Sequence, residues 1–278
     1  MGLIEIETID DPRLELYRDI KDPHMRRREG LFVVEGRFTL RCLIEDSSFS
    51  PISVLTSHPA RLALEDVLGR LDPDTPIYQA PSAVLQELAG FHLHRGCLAL
   101  APRPHDLGLE AFLAQAVRAD GSSLVVVLEG LTNHDNVGGI FRNAMALGAD
   151  GVLLCARCCD PLYRKAIRTS LGGSFCVPFA RVPAWPDDLG VLQAAGFSLV
   201  ALDPEGESIA AAARGSLPKR TALVLGTEGA GLSPEVLARA DLRLGIGMAP
   251  GVDSLNVATA SGIALHYFRE AIGECARS

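Results

Sequence analysis

The second half of the chain alternates between short apolar runs and helix-like stretches. Leu124–Leu128 is a continuous apolar, β-branched run, which is typical of a strand buried on both faces of a sheet. Further strand-like runs are predicted at 151–155, 197–202, 221–225 and 242–246. Helix-like stretches are predicted at 137–147, at 162–170, from Ser233 and from Leu255. This alternation predicts an α/β fold, with a parallel sheet and helices on both faces.

The first part of the chain has a different texture. Its short apolar runs lie at 31–34, 52–55 and 97–100, with a helix-like stretch at 59–71. It closes at Pro102-Arg103-Pro104, where two prolines make a stiff, non-helical connection. A short amphipathic segment follows at 109–117. We therefore predict a first domain at 1–104, a linker helix within 105–120 and a second domain at 121–278.

Composition is that of an ordinary globular enzyme: 278 residues, 48% hydrophobic and 22% charged. That length is enough for two domains that each bury a core. Aromatic residues make up only 5%, which argues against a surface that stacks many bases. No stretch approaches the roughly 20 apolar residues of a membrane helix, and the acidic N-terminus lacks the basic start of a signal peptide. We expect a cytoplasmic protein with no membrane partner.

The seven cysteines are expected to be reduced and packed rather than bridged, because their number is odd and the expected compartment is reducing. Cys155 and Cys158 have the C-x-x-C spacing of a metal or redox motif. Neither a second pair nor a neighbouring histidine accompanies them, so the sequence predicts no metal site.

The formal net charge of −8 is unusual for a protein that binds nucleic acid. Basic residues nevertheless cluster in two places. Residues 13–41 hold eight of them, including Arg26, Arg27 and Arg28, against five acidic residues. Residues 142–168 hold five against two, beginning with Arg142 and ending with Arg168. Charge alone leaves two interpretations open, a solvated helix face or contact with RNA.

Three segments rich in glycine and asparagine stand where strand-like runs meet helix-like runs. They are Asn136–Ala144, Leu225–Leu232 and Asp253–Ala258. Loops at the carboxyl ends of parallel strands are where α/β proteins bind ligands. The dinucleotide fingerprint G-x-G-x-x-G and the P-loop are both missing. The pair Gly138-Gly139 by itself is equally explained by close packing at a strand-to-helix turn.

In number, order and spacing the three segments resemble the signature motifs of the SpoU family of RNA ribose methyltransferases, in the SPOUT superfamily. The first motif, N-x-G-x-x-x-R, is matched in full from Asn136 to Arg142. The resemblance implies transfer of a methyl group from S-adenosylmethionine to a ribose 2′-hydroxyl of rRNA or tRNA, by a homodimer formed through the second domain. It also implies a trefoil knot in that domain and a small N-terminal α/β domain that binds RNA, akin to a ribosomal protein.

The resemblance also assigns roles to individual residues. The expected catalytic residues are Asn136, Arg142, Glu228, Ser254 and Asn256. The expected cofactor-binding residues are Leu202, Gly226, Ile246, Met248, Ser254 and Leu255. The residues expected to bind RNA are Arg26, Arg27, Arg28, Arg142 and Arg168. Gly247 stands where family members usually have proline, which is the main departure from the pattern.

Elementary chemistry supports an electrostatic role for Arg142. An arginine is permanently protonated and is therefore a poor general base, but its planar guanidinium can bind a phosphate at two points and stabilise a developing oxyanion. Simpler interpretations stand beside these roles: an ion pair for Arg142, a helix cap for Asn136 or Ser254, and a turn for Glu228.

Two other functions remain open from the residues alone. The α/β pattern fits an enzyme that uses a nucleotide cofactor such as NAD, although the missing fingerprint disfavours it. A catalytically silent RNA-binding module is disfavoured by the intact set of candidate catalytic residues, Asn136, Arg142, Glu228, Ser254 and Asn256.

Overall fold

The computed structural model describes residues 2–18, 29–89, 96–104, 107–215 and 217–275. The strands are β1 (Leu3–Glu5), β2 (Leu31–Glu35), β3 (Ser53–Thr56), β4 (Ile77–Gln79), β5 (Cys97–Pro102), β6 (Ser123–Leu128), β7 (Gly151–Cys155), β8 (Phe179–Val182), β9 (Ser198–Ser208), β10 (Arg220–Leu225) and β11 (Leu242–Gly245). The helices are α1 (Arg37–Glu45), α2 (His58–Leu62), α3 (Glu65–Leu68), α4 (Ser82–Ala89), α5 (Leu109–Ala116), α6 (His134–Leu147), α7 (Arg164–Ser170), α8 (Gly173–Cys176), α9 (Leu189–Ala194), α10 (Ile209–Ala213), α11 (Pro234–Arg239) and α12 (Val257–Cys275). A short 3-10 helix covers Pro12–Tyr17. None of the described helices is long and apolar enough to cross a membrane.

The chain divides into two compact units whose boundaries differ from the predicted ones. The first unit combines 1–105 with 161–176, and the second combines 106–160 with 177–278. The segment predicted as a linker forms α5, and its Phe112 is fully buried in a core of the second unit. Helix α5 is therefore an integral part of the second unit rather than a linker.

Helices α7 and α8 belong to the first unit, although they lie in the second half of the sequence. Arg164 Nη1 donates a 3.0 Å hydrogen bond to Glu35 Oε2, and the Glu35 side chain is only 1% exposed. The ring of Phe175 stacks on that of Phe32, with centroids 6.1 Å apart. Because a buried carboxylate requires a paired cation, this ion pair ties α7 to strand β2.

The first unit is built on a mixed five-stranded sheet in the order β1-β4-β3-β5-β2. Strands β1, β4 and β3 pair in parallel, whereas β5 is antiparallel to both β3 and β2. The three apolar runs predicted in this part of the chain form β2, β3 and β5. The helix predicted at 59–71 is instead the two short helices α2 and α3, because Leu64, with φ −120° and ψ 7°, breaks the helical geometry between them.

The second unit confirms the predicted parallel sheet. Its six strands run in the order β11-β9-β10-β6-β7-β8, and every neighbouring pair is parallel. Alternate residues of β6 enter different cores: Leu124 and Val126 pack in one, Val125 and Val127 in the other. Helices α6 and α12 cover the first core, and α5 and α9 cover the second. The sheet is thus buried on both faces, as its continuous apolar strands require.

We expect Arg164→Met to destabilise the first unit by about 3–5 kcal/mol, because it leaves the Glu35 carboxylate buried without its cation. Urea unfolding followed by circular dichroism measures the change. Arg168→Met, at an exposed position on the same helix, is the matched control and should alter stability by less than about 0.5 kcal/mol. Superimposable unfolding curves for the two variants would contradict a structural role for the ion pair.

Candidate active site

A cavity of about 570 Å³ opens at one edge of the sheet, beside the carboxyl ends of β10 and β11 and the middle of β9. Its volume lies within the range of roughly 300–1,000 Å³ found for cofactor sites. Because the strands are parallel, the loops that follow them meet at this one edge of the sheet. All of the residues expected to bind the cofactor line the cavity, namely Leu202, Gly226, Ile246, Met248, Ser254 and Leu255.

One wall of the cavity is the loop 226–232, which connects β10 to α11 and is closed by its own backbone. Thr227 and Gly231 exchange two backbone hydrogen bonds of 3.1 and 3.0 Å. A side chain on Gly226 would place its Cβ atom 2.3 Å from the carbonyl group of Gly231, far inside contact distance. Glycine is therefore required at position 226 for the loop to close.

A second wall comes from the middle of β9, where its pairing with β11 changes register between Arg243 and Leu244. The backbones approach closely here, because a Cβ atom on Gly206 would lie 2.6 Å from the carbonyl carbon of Arg243. Asp203 Oδ2 accepts a 2.9 Å hydrogen bond from Arg243 Nε, and both residues line the cavity. Neither residue belongs to the three motifs, so the motif pattern does not single out this pair.

The side chain of Asn256 joins all three predicted motifs. Its Nδ2 donates hydrogen bonds to Asn136 Oδ1 at 2.8 Å and to Glu228 Oε1 at 2.6 Å. Its Oδ1 accepts hydrogen bonds of 3.0 and 3.2 Å from the backbone N–H groups of Ala258 and Thr259. Asn256 thereby caps helix α12 and links the first and second motifs to it.

The helix caps differ from the simpler interpretations of the sequence. Asn133, not Asn136, caps α6, by accepting a 2.8 Å hydrogen bond from the N–H of Asp135. Asn136 lies in the first turn, is 7% exposed, and accepts from Asn256 instead. Ser254 lines the cavity ahead of α12, whose cap is Asn256. The polar side chains of Asn136 and Ser254 are therefore not needed as helix caps.

Helix α6 packs closely against the start of α12. A Cβ atom on Gly139 would lie 2.8 Å from the Cβ atom of Ala258. Asn143 Nδ2 donates to the carbonyl oxygen of Ala258 at 2.6 Å and to Ser261 Oγ at 3.0 Å. Gly139 therefore serves helix packing, and this packing holds Asn136 within reach of Asn256.

Arg142 lies on the same helix as Asn136, six residues further along. Its side chain is exposed and makes no hydrogen bond or ion pair with any residue in the described parts of the chain. The guanidinium is therefore available to an external group. Arg168 is also exposed, on α7 of the first unit. The other residues expected to bind RNA, Arg26, Arg27 and Arg28, lie outside the described residues.

Ion pairs occupy several other members of the two basic clusters. Arg13 pairs with Asp11 at 2.5 Å, and Arg41 pairs with Asp66 at 2.6 Å. In the second cluster, Arg157 lies 3.6 Å from Glu129. These arginines fit the interpretation of a solvated, paired surface better than that of RNA contact.

The thiols of Cys155 and Cys158 lie 3.7 Å apart at the end of β7, buried and unbridged. Hydrogen bonding with the Cys158 thiol, and with the backbone N–H of Gly130, lowers the pKa of Cys155. The contact with Cys155, together with burial, raises the pKa of Cys158. The described residues contain no group of three or more side chains that could hold a metal ion. This C-x-x-C pair therefore packs the turn after β7 against the segment that follows β6.

Comparison with known proteins identifies the family to which the chain belongs. The model of the SpoU rRNA Methylase family matches residues 123–266. A protein of Mycobacterium tuberculosis (strain H37Rv), named as an uncharacterized tRNA/rRNA methyltransferase, is 39% identical over 267 residues, which cover 92% of this chain and 88% of that protein. The chain belongs to the SpoU family.

Solved structures share the fold of this SpoU methylase. The SpoU methyltransferase AviRb from Streptomyces viridochromogenes is 27% identical, with a TM-score of 0.79 over 95% of this chain and 99% of AviRb. AviRb in complex with the cofactor AdoMet aligns at 25% identity and a TM-score of 0.76, over 96% of this chain and 100% of AviRb. An AdoMet-bound rRNA methyltransferase from Sinorhizobium meliloti has the same fold, at 22% identity and a TM-score of 0.80 over 96% and 98% of the two chains. The SpoU methylase is an RNA methyltransferase whose cofactor is S-adenosylmethionine.

The residues around the cavity fit this cofactor. S-adenosylmethionine carries a sulfonium and an ammonium group, and the charged residues that line the cavity are mostly acidic: Asp203, Glu205, Glu228 and Asp253, against Arg243. An acidic lining favours a cationic ligand. The loop 226–232 also lines the cavity, and because three of its seven residues are glycines, a ligand can approach its backbone closely.

Asn256→Asp should keep the cap of α12 but lose both side-chain donors, since an aspartate caps helices well and only accepts hydrogen bonds. It also sets a second carboxylate beside Glu228. We expect methyl transfer to RNA to fall by about tenfold or more, because the buried Asn136 oxygen loses its donor, and a buried acceptor without a donor costs about 1–3 kcal/mol. Transfer of radiolabelled methyl measures the loss. Asn133→Asp, which changes the cap of α6 in the same way, should transfer methyl normally; equal activities for the two variants would argue against the network.

Gly226→Ala should weaken binding of S-adenosylmethionine by about tenfold or more, because overpacking of this kind costs about 1–3 kcal/mol. The added Cβ atom forces the loop 226–232 away from Gly231. Isothermal titration calorimetry measures the affinity. Gly247→Ala is the matched control, since a Cβ atom there meets nothing within 4 Å. Unchanged affinity in Gly226→Ala would remove the loop from the cofactor site.

Proposed function

We propose that this SpoU methylase transfers the methyl group of S-adenosylmethionine to a ribose 2′-hydroxyl of rRNA or tRNA. The observation that carries the proposal is the hydrogen-bonded set of Asn136, Asn256 and Glu228. Arg142 lies on the same helix as Asn136, is exposed, and pairs with none of the described residues. This arrangement offers an exposed cation and an exposed carboxylate to a polyanionic substrate. A solved RNA 2′-O ribose methyltransferase has the same fold, at 23% identity and a TM-score of 0.79 over 98% of this chain and 100% of that protein.

The cofactor supplies a methyl group on a sulfonium, which makes that methyl electrophilic. What the protein must add is position and charge. Arg142 binds the phosphate beside the target ribose and stabilises the oxyanion that develops as the 2′-hydroxyl loses its proton. Asn256 orients Glu228 through its Oε1, which leaves Oε2 available to relay that proton. Ser254, at the cavity lining, lies between cofactor and acceptor in this scheme.

The first unit has the proposed role of binding RNA. Arg168 and Lys165 on α7 are both exposed, and they give this unit a cationic helix face suited to phosphates. Following the family resemblance, we propose that the protein works in the cytoplasm as a homodimer formed through the second unit. The same resemblance supports a trefoil knot at the C-terminal end of the chain.

The reaction is tested with purified protein, tritiated S-adenosylmethionine, and rRNA or tRNA from a strain that lacks the gene. A ribose 2′-O-methyl group protects the adjacent phosphodiester from alkali, because cleavage requires a free 2′-hydroxyl. We therefore expect the label in alkali-resistant dinucleotides. Label in a mononucleotide with a methylated base would overturn the ribose assignment, and no transfer to any RNA would favour a silent binding module.

Arg142→Ala should retain affinity for S-adenosylmethionine but lose methyl transfer, by about a hundredfold or more, the size of a missing oxyanion donor. Arg142→Lys should recover little, because an ammonium group cannot reproduce the planar two-point contact. Arg214→Ala, at an exposed arginine that does not line the cavity, controls for the loss of one positive charge.

Single-turnover methyl transfer and calorimetry separate the two effects. A near-normal rate for Arg142→Ala would make Arg142 a structural residue and shift the mechanism to Glu228. Loss of cofactor binding in the same variant would place Arg142 at the cofactor instead of the RNA.

A further inference from the structure

We propose that Glu129 is a positioning residue that holds the loop 226–232 in its cofactor-binding shape. Nothing in the motif pattern assigns Glu129 a role, because an acidic residue after a strand is usually a solvated loop residue. The inference rests on the cofactor cavity of the SpoU methylase and not on which atom of the RNA is methylated.

Glu129 directly follows β6, at the centre of the parallel sheet. Its backbone N–H donates a 2.9 Å hydrogen bond to the carbonyl oxygen of Leu225, so it extends the pairing of β6 with β10 by one step. Its side chain is only 4% exposed. A carboxylate so deeply buried is tolerated only when hydrogen bonds and cations compensate it.

Donors from two sides compensate this carboxylate. On one side, Ser233 donates twice, from its backbone N–H to Oε2 at 2.9 Å and from its hydroxyl to Oε1 at 2.8 Å. On the other, Trp185 Nε1 donates to Oε1 at 2.8 Å. Arg157, which is largely exposed, lies 3.6 Å away. Three hydrogen bonds to one ionised group account for its burial.

Ser233 stands at the point where the loop 226–232 ends and α11 begins. It occupies the N-cap position, yet its hydroxyl makes no capping bond with the helix and donates to Glu129 instead. The other end of the loop is held by β10 and by the close approach of Gly226 to Gly231. Glu129 therefore anchors the end of the loop that adjoins α11 to the end of β6, whereas β10 holds the start of the loop.

The position of the loop 226–232 matters because the loop contributes both to the cavity wall and to the candidate catalytic residues. Its residues from Gly226 to Leu232 line the cavity, and Glu228 within it accepts the hydrogen bond from Asn256. A shift of the loop would alter both the backbone wall of the cofactor site and the position of the Glu228 carboxylate. The alternative is that Glu129 only stabilises the core. That role would depend on its hydrogen bond from Trp185, which packs against both cores of the second unit, and not on Ser233.

Three near-isosteric variants of the full chain separate these roles. Glu129→Gln replaces one acceptor oxygen by an NH₂ group that meets a donor. Ser233→Ala removes only the hydroxyl donor from the loop side, and Trp185→Phe removes only the indole donor from the core side. Calorimetry with S-adenosylmethionine measures affinity, and thermal unfolding without cofactor measures stability.

We expect Glu129→Gln to weaken cofactor binding by about tenfold or more, as loss of a hydrogen bond to a charged group does. Ser233→Ala should weaken it by a smaller factor, because the backbone N–H of residue 233 still donates to Glu129. Trp185→Phe should bind the cofactor as the unsubstituted protein does, whatever its melting temperature.

Normal affinity in a folded Glu129→Gln, or equal weakening by Trp185→Phe and Ser233→Ala, would overturn the proposal and leave Glu129 as a core residue. If Glu129→Gln does not fold, the cofactor affinities of Ser233→Ala and Trp185→Phe decide the question by themselves. A finding that the label lies on a base would refute the proposed ribose target without touching this result, because cofactor affinity is measured without RNA.

Discussion

The site depends on one side-chain amide. The side chain of Asn256 has two N–H donors and one acceptor oxygen, and all of them are used. The donors bind Asn136 and Glu228, and the oxygen accepts from the first turn of α12. Asn136 is 120 residues away in sequence and Glu228 is 28 away. No residue with only donors or only acceptors could join these partners and cap the helix as well. The chemistry of the amide is thus what makes three separate loops a single site.

The amide can do this only because the backbones around it approach so closely. Gly139 lets α6 touch α12 at Ala258, and Gly226 lets the loop after β10 fold back on itself. A side chain at position 139 would collide with Ala258, and one at position 226 would collide with the backbone of Gly231. The site therefore depends on two conditions. The parallel sheet brings the carboxyl ends of β10 and β11 to one edge, beside the middle of β9, and the glycines let the backbones approach each other there.

These two conditions explain how much the sequence reveals. The strands of the second unit follow from their apolar runs, because a strand buried on both faces leaves an unmistakable pattern. Six of the residues that line the cavity follow from the motif resemblance, whereas Asp203 and Arg243 do not. The position of 161–176 could not be predicted, because it depends on an ion pair between Arg164 and Glu35, 129 residues apart. The cap at Asn256 instead of Ser254 and the burial of Glu129 were missed for a related reason: each depends on a partner that no local pattern reveals.

The charges of the molecule constrain how it meets RNA. With a net charge of −8, the protein as a whole repels a polyanion such as RNA. Within the described residues, Arg13 and Arg41 are neutralised by neighbouring carboxylates, whereas Arg142 and Arg168 stay exposed. A protein that binds RNA through a few placed phosphate contacts, and not through a broad basic surface, releases few counterions on binding. Under the proposed mechanism such contacts also orient the target nucleotide, which makes the position of Arg142, on the helix that carries Asn136, a condition for both binding and reaction.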